Sequence, residues 1–362
     1  MPLNPSPGPS PSFSDDPANL GLNAVLCAFD EFSPWDIQLV QELEGGASTR
    51  QFFRIRMGDQ NAVAMYTPAP SQEIAKARQS SGYEPFVEVA ELLSSHGISV
   101  PKIIAAAKSA PVLLVEDLGD YTLASYLQKH PETREALYKK AILTLAQAQG
   151  QLNPLPPTSV IRRRAFDYDL LLWEVEHFRD WALSARGVVL TDEDSTTFSR
   201  SAKYLAHTIS SWERGFVHRD YQSRNIMVRG PLHAEHLTWI DFQDAMLGPR
   251  VYDLVALLTD SYQSFTPDFV ARRLDEYCDL RNCTNERQLI GQEFSLVTVQ
   301  RKLKDAGRFI FLQHVNKNPH FLQFVEPTIE KARRALRQVR DMGPLSELDD
   351  MLERLFGPLP DA

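Results

Sequence analysis

The stretch GFVHRDYQSRNIMV, residues 215–228, places two polar side chains that could do chemistry, Asp220 and Asn225, between apolar segments. Polar and charged groups in apolar surroundings cost free energy unless they are paired or bind a metal. A carboxylate there can cap a turn or accept a proton, and an amide oxygen can bind a hard cation such as Mg²⁺. The stretch is therefore either a well-capped turn or a reaction centre.

A second carboxylate, Asp241 in WIDFQD, comes at the end of a predicted strand downstream. Two strands joined by a connector would bring Asn225 and Asp241 side by side, where their oxygens suit Mg²⁺. Asp220 would lie across from them and could accept a proton from an attacking hydroxyl. Phosphoryl transfer needs both functions, because the triphosphate charge must be neutralised and the hydroxyl aligned with the γ-phosphorus.

The order His218, Arg219, Asp220 and Asn225 matches H-R-D-x-x-x-x-N, the catalytic-loop pattern of protein kinases. Together with Asp241, it resembles the aminoglycoside phosphotransferase family and its relatives, the choline and homoserine-type small-molecule kinases. The resemblance covers nearly the whole ordered chain. It implies a protein-kinase-like fold, ATP and Mg²⁺ as cofactors, Asp220 as the base, and Asn225 and Asp241 as metal ligands.

Several further segments resemble a narrower group, the bacterial kinases that phosphorylate the anomeric hydroxyl of N-acetylmuramate and N-acetylglucosamine in cell-wall recycling. These segments are GGASTRQFFRI, LLVEDLGD, FDYDLLLWEVEHFRDW and DFQDAMLGPRVYDLVALL. The resemblance implies a small-molecule sugar as substrate. Two alternatives stay open: a kinase for another alcohol, such as an aminoglycoside, choline or homoserine, and a non-catalytic nucleotide-binding protein.

The hydrophobic pattern predicts an α+β chain in two lobes behind a tail. Residues 1–19 are rich in Pro and Ser and predict a disordered segment. Residues 20–119 predict a small antiparallel sheet with one main helix, the nucleotide-binding lobe. Residues 120–362 predict a larger helical lobe, interrupted by the short strands NIMV and LTWIDF, which would carry catalysis and substrate binding.

Two segments of the first lobe are predicted to hold the nucleotide. The turn between the first two strands could place backbone N–H groups over the phosphates, although an ordinary hairpin turn fits equally well. Its residues are Gly45, Gly46, Ala47, Ser48 and Thr49. The backbone from Glu116 to Leu118 would offer a carbonyl and an amide to adenine, and its alternative is a plain linker.

The phosphate-binding lysine of protein kinases is missing. Their V-A-I-K motif corresponds to VAMY here, so Tyr66 takes the place of the lysine. A pseudokinase would explain this, but the base and metal positions all remain. Arg50 and Arg54, beside the Gly-rich turn, are candidates for the replacement cation, or they are surface arginines.

Substrate recognition is predicted in the helical lobe. The run Arg162 to Arg164 would suit an anion and repel a polycation, although such runs are usually solvated. Arg224 could approach the substrate or the transferring phosphate, and Gln243 and Asp244 could bind sugar hydroxyls. Asp253 is interpreted as a buried structural residue that bonds the backbone of the catalytic loop.

The bulk composition excludes several classes of protein. A net charge of -9 over 362 residues argues against general nucleic-acid binding. No apolar run predicts a transmembrane helix, and the N-terminus lacks the features of a secretory signal. Three cysteines fit reduced thiols in the cytoplasm, and the pair His233 and His236 fits a solvated loop better than a metal site. No obligate protein partner is evident.

Overall fold

The computed structural model describes residues 20–32, 36–43, 50–68, 83–317 and 319–360. Contacts divide these residues into two compact units. The first unit contains the described residues up to 68, residues 83–84 and residues 102–117. The second contains residues 85–101 and the described residues from 118 onward.

The first unit is built on a five-stranded antiparallel sheet. Its strands are β1 (Ile37–Leu43), β2 (Gln51–Met57), β3 (Gln60–Tyr66), β4 (Ile103–Ala106) and β5 (Val112–Glu116). Their order across the sheet is β1-β2-β3-β5-β4. In β2, Phe53 and Ile55 are buried and alternate with polar residues, as expected for a strand with one face on a core. Helix α1 (Leu20–Ala28) covers this face through Val25. The predicted small antiparallel sheet is confirmed.

The second unit is mainly helical, as the sequence predicted. A shared core of apolar residues, among them Phe178, Phe198, Leu303 and Leu336, joins its central helices. A six-residue π-helix, Phe178–Leu183, directly follows the helix Tyr168–His177. The helices are α2 (Glu84–Ser95, whose first residue groups with the first unit), α3 (Leu123–Lys129), α4 (Arg134–Gln151), α5 (Tyr168–His177), α6 (Asp192–Ser210), α7 (Tyr252–Leu258), α8 (Pro267–Leu280), α9 (Arg287–Asn316), α10 (Val325–Gln338) and α11 (Leu345–Phe356).

Two short antiparallel hairpins lie among these helices. Strands β7 (Ile226–Arg229) and β8 (His236–Trp239) form one pair, and they correspond to the predicted NIMV and LTWIDF. Strands β6 (Arg214–Val217) and β9 (Met246–Pro249) form the other. The sequence interpretation did not include β6 or β9.

The main helix predicted for the first lobe groups with the second unit instead. Phe86 of α2 packs on Phe242, with ring centroids 4.7 Å apart. After α2, the carbonyl of Ser99 accepts a hydrogen bond from the amide of Trp239 at 2.9 Å. The contact boundary also falls between Asp117 and Leu118, two residues before the boundary drawn from the sequence.

Within the described ranges, no helix is long and apolar enough to cross a membrane. None of the three cysteines forms a disulfide; Cys278 and Cys283 are buried and Cys27 is exposed.

Candidate active site

The segment after β6 is held by a buried carboxylate, Asp253 on α7. Asp253 is 0% exposed and accepts hydrogen bonds from the backbone amides of His218 and Arg219, at 2.7 and 3.0 Å. Burial raises the pKa of Asp253 to about 7, against the lowering effect of these two N–H groups. Arg219 has a left-handed backbone with φ of 81°, which the two bonds help to hold. The structural role interpreted for Asp253 is confirmed.

Asp220 follows this strained residue and is paired with Arg301 of α9. Nη2 of Arg301 lies 3.3 Å from Oδ1 of Asp220, and Nη1 donates to the carbonyl of Arg219 at 2.8 Å. Burial acts to raise the pKa of Asp220, but the charges of Arg301, Lys304 and Arg219 outweigh it and lower the pKa below its ordinary value. The side chain of Asp220 remains 34% exposed, while that of Arg301 is 3% exposed. The carboxylate is therefore ionised and accessible, as a proton acceptor must be.

Asn225 ends a short 3₁₀ turn, Ser223–Asn225, directly before β7. Its Nδ2 donates to the backbone carbonyl of Asp220 at 2.8 Å, which fixes the side chain relative to the candidate base. Its own carbonyl accepts a hydrogen bond from the amide of Ile240 at 3.0 Å, so the residue before Asp241 is bonded to Asn225. The hairpin of β7 and β8 thus brings the two predicted metal ligands to one end, as the sequence implied.

Asp241 has a left-handed backbone, with φ of 60°. Such a conformation is uncommon outside glycine and concentrates at functional sites. Its Oδ1 accepts a hydrogen bond from Nε2 of Gln243 at 2.8 Å, and the same nitrogen lies 3.1 Å from Oδ2 of Asp244. Both neighbours are buried. Gln243 therefore orients Asp241, whereas the sequence assigned Gln243 and Asp244 to sugar hydroxyls.

The donor set of Asn225 and Asp241 fits Mg²⁺. Because Nδ2 of Asn225 donates to the carbonyl of Asp220, the amide oxygen is the atom of this side chain that could bind a metal. Mg²⁺ is usually held by one or two protein oxygens together with waters and substrate phosphates. Across the described residues, no group of three or more His, Cys, Asp and Glu side chains could hold a metal by itself. The pair therefore suits an ion that a phosphorylated ligand helps to bind.

In the first unit, both candidate phosphate cations are largely shielded from solvent. Arg54 on β2 forms a two-point ion pair with Asp117, at 2.7 and 3.1 Å. Arg50 precedes β2 and is 8% exposed, so neither is an exposed surface arginine. Tyr66 is the last residue of β3, the strand on which the lysine was expected. Gly45 to Thr49 lie outside the described residues.

The segment predicted to meet adenine lies where the chain passes from one unit to the other. The amide of Glu116 donates to the carbonyl of Lys102 at 2.8 Å, because β5 continues to that point. In that prediction, the amide offered to adenine would therefore be that of Asp117 or Leu118 and not that of Glu116.

The arginine run does not form one surface. Arg164 is 2% exposed and donates to the carbonyl of Gln243 at 2.8 Å. Arg162 and Arg163 are exposed and bond the carbonyls of Leu155 and Thr158. The expectation of three arginines acting together on an anion is therefore wrong, since one supports the segment after the predicted metal ligand.

Sequence reasoning missed the charged residues of α9. Arg301 contacts Asp220, and both Lys302 and Lys304 contact Asp305, at 3.0 and 2.8 Å. On α5, the buried Glu174 faces Arg219 at 3.7 Å. The available signal was the run QRKLKD within an otherwise apolar helical pattern, which reads equally well as a solvated face.

The remaining predicted substrate residue, Arg224, lies on the 3₁₀ turn before Asn225. Its guanidinium stacks on the ring of Tyr262, 3.6 Å from the centroid.

Comparison with known proteins agrees with this geometry. Residues 39–289 match the model of the phosphotransferase enzyme family, named for aminoglycoside phosphotransferases. The chain belongs to this family. It is a phosphotransferase with an alcohol group as acceptor, and the resemblance noted in the sequence is confirmed.

Two relatives of this phosphotransferase are called N-acetylmuramate/N-acetylglucosamine kinase. The one from Pseudomonas aeruginosa is 31% identical over 312 residues, covering 83% of this chain and 85% of the relative. The one from Neisseria meningitidis serogroup B is 26% identical over 314 residues, covering 83% and 87%.

Solved structures of low sequence identity share the fold. The GDP complex of aminoglycoside 2'-phosphotransferase-IIIa superposes with a TM-score of 0.62 at 16% identity, covering 87% of this chain and 99% of its own. A choline kinase from Streptococcus pneumoniae gives a TM-score of 0.57 at 14% identity, covering 90% and 99%. The protein-kinase-like fold expected from the sequence is therefore confirmed.

Proposed function

We propose that this phosphotransferase uses ATP and Mg²⁺ to phosphorylate the anomeric hydroxyl of N-acetylmuramate and N-acetylglucosamine. The observation that carries the proposal is the pairing of Asp220 with Arg301, which keeps an accessible carboxylate ionised. The backbone carbonyl of Asp220 also accepts a hydrogen bond from Nδ2 of Asn225, a candidate metal ligand. The names of the relatives support the choice of sugars.

In this proposal Asp220 accepts the proton of the attacking hydroxyl as the new O–P bond forms and the bond from phosphorus to ADP breaks. Asn225 and Asp241 would hold Mg²⁺, which when bound neutralises charge on the β- and γ-phosphates. Gln243 keeps Asp241 oriented for that task. The segment Gly45 to Thr49, Arg50 or Arg54, and the backbone near Glu116 and Leu118 would hold the rest of the nucleotide.

The decisive experiment measures ADP release with a panel of acceptors, and phosphorus NMR locates the phosphate on each product. We expect turnover of N-acetylmuramate and N-acetylglucosamine and none of their methyl glycosides, in which the attacking oxygen is blocked. Asp220→Asn should lower the rate by about 10²–10⁴-fold, as for other lost general bases. Turnover of a methyl glycoside, or of kanamycin in preference to both sugars, would refute the anomeric assignment and leave the phosphotransferase activity standing.

The sequence left open a non-catalytic nucleotide-binding protein, because Tyr66 takes the place of the lysine. The match to the phosphotransferase family and the kinase names of the relatives argue against that alternative. Magnesium-dependent release of ADP with an acceptor on the panel tests it directly.

A further inference from the structure

The guanidinium of Arg224 is held flat against an aromatic surface in the same unit as Asp220. It lies 3.6 Å from the ring centroid of Tyr262 and 6.0 Å from that of Phe324. These two rings meet edge to face, with centroids 4.9 Å apart and planes at 84°. Stacking covers a face of the guanidinium, so its N–H groups, which lie in the plane, remain directed outward from the ring.

A buried carboxylate fixes this stack. Asp260 is 0% exposed and accepts hydrogen bonds from the amide of Ser223 and the amide of Tyr262, both at 2.9 Å. The hydroxyl of Ser223 also contacts the same carboxylate. Ser223 directly precedes Arg224, so one side chain ties together the backbones that carry the cation and its ring. Hydrogen bonds from the backbone to a buried side chain therefore position the stack of Arg224 on Tyr262.

The cations whose charges act on Asp220 each face a carboxylate. Arg301 faces Asp220 itself, Arg219 faces Glu174 at 3.7 Å, and Lys304 faces Asp305 at 2.8 Å. Arg224 differs, since no carboxylate in the described part of the chain lies within ion-pair distance of its guanidinium. A fixed guanidinium with a planar fork of donors and no anionic partner suits a carboxylate ligand, which it can bind at two points.

The direction of the side chain favours the acceptor over the nucleotide. Arg224 and Asn225 are neighbours on a 3₁₀ turn, where consecutive side chains diverge by about 120°. Asn225 turns toward the backbone of Asp220, whereas Arg224 turns toward Tyr262 and Phe324. The side chains of Arg224 and Asn225 therefore leave the turn in different directions.

We propose that Arg224 is the binding site for the carboxylate of an acidic sugar, the group that N-acetylmuramate carries and N-acetylglucosamine lacks. The proposal rests on the sugar kinase activity proposed above. Arg224 thereby takes the anion-binding role that the sequence had suggested for Arg162 to Arg164.

The test compares kcat/KM for the two sugars in wild type, Arg224→Gln and Arg224→Lys. Loss of a charge-assisted contact should lower kcat/KM for N-acetylmuramate about ten- to a hundredfold more than for N-acetylglucosamine, mainly through KM. Arg224→Lys should give a smaller shift, because lysine keeps the charge without the planar fork. Arg134→Gln is the matched control, since Arg134 also lies over an aromatic ring, Phe265, at 5.5 Å.

Each outcome decides a separate point. A selective loss for the acidic sugar in both Arg224 variants, with the control at the wild-type ratio, supports the carboxylate site. Equal losses for both sugars would overturn it and assign Arg224 to the transferring phosphate or to folding. If wild type uses N-acetylglucosamine but not N-acetylmuramate, the carboxylate site is wrong and the sugar kinase activity stands. If wild type phosphorylates neither sugar, the proposed function fails and this site fails with it.

Discussion

Arg301 holds the carboxylate of Asp220 at 3.3 Å with one terminal nitrogen and the carbonyl of Arg219 at 2.8 Å with the other. One buried side chain of α9 thereby sets both the charge and the position of the candidate base. Removing Arg301 should therefore change the pH dependence of proton transfer, whereas loss of packing alone would not.

Replacing Arg301 with Met should raise the pKa of Asp220, because burial would then act with less opposing charge. The base must be deprotonated to work, so the acidic limb of the kcat/KM profile should move to higher pH. We expect a shift of about one unit or more, the size typical of a lost opposite charge. Arg301→Lys should shift the acidic limb less than Arg301→Met, because lysine keeps the positive charge. An unmoved acidic limb in a folded Met variant would limit Arg301 to a structural role.

Asp241→Asn should lower kcat by about 10²-fold or more, since one anionic ligand for Mg²⁺ is lost while the left-handed backbone is tolerated. Gln243→Ala should have a smaller effect of about ten- to a hundredfold, mainly as a higher Mg²⁺ requirement. The measurement is ADP release against Mg²⁺ concentration. Turnover like that of wild type in Asp241→Asn would remove Asp241 from the site.

Arg50→Ala should raise the KM for ATP about ten- to a hundredfold, as expected for a lost charge-assisted phosphate contact. Arg54 is committed to Asp117, so Arg54→Ala should act mainly by lowering the melting temperature. Initial rates against ATP concentration and thermal unfolding separate the two effects. The reverse pattern would assign the phosphate contact to Arg54, and wild-type behaviour of both variants would place the cation elsewhere.

His218 is fully buried, and burial lowers its pKa from 6.5 to about 4. Between these values the unfolded chain binds a proton that the folded chain does not, so stability falls as pH falls through this window. The contribution of His218 amounts to about 3 kcal/mol across the window.

The test for His218 is urea unfolding at pH 7 and pH 5. His218→Phe should lose less stability than wild type between the two pH values. The raised pKa of Asp253 makes the free energy of unfolding depend on pH in the opposite direction. Asp253 is present in both proteins, so its contribution cancels when their pH dependences are compared. The exposed His207 on α6 provides the control, His207→Gln. Identical pH dependence in wild type and His218→Phe would contradict the assignment.

Two glycines of α9 should respond oppositely to alanine. A Cβ at Gly307 would lie 2.4 Å from the carbonyl oxygen of His177, where the π-helix begins, so Gly307→Ala should cost about 1–3 kcal/mol. A Cβ at Gly291 would lie 3.3 Å from Nη1 of Arg287, the mobile end of a long side chain. Gly291→Ala should therefore be neutral or stabilise by up to about 1 kcal/mol through helix propensity. Urea unfolding measures both, and equal changes would contradict the close packing at Gly307.

The features that the sequence predicted correctly are those that the local spacing of apolar residues and the order of motifs specify. The antiparallel strands β1 and β2 and the role of Asp253 were readable because apolar spacing and motif order specify them. Strands β6 and β9 are four residues each and pair across a long sequence separation, so neither carries a periodic signal. Their existence depends on tertiary contacts.

The charges of α9 and the burial of Arg164 could not be predicted for a related reason. Arg301 is stable in the interior partly because Asp220 and the carbonyl of Arg219 contact it from a segment about eighty residues away in sequence. Arg164 depends in the same way on the carbonyl of Gln243. A single sequence shows the charges but not the partners that allow them to be buried.

Asp260 has a consequence for how this enzyme could evolve. Because it anchors the main chain on both sides of the Arg224 stack, the side chain at position 224 can be exchanged without displacing Asn225 next to it. Acceptor preference can then drift, or be redesigned, by single substitutions while the metal ligands keep their alignment. Libraries that vary positions 224 and 324 and leave Asp260 constant should yield active enzymes with altered acceptors far more often than libraries that vary Asp260.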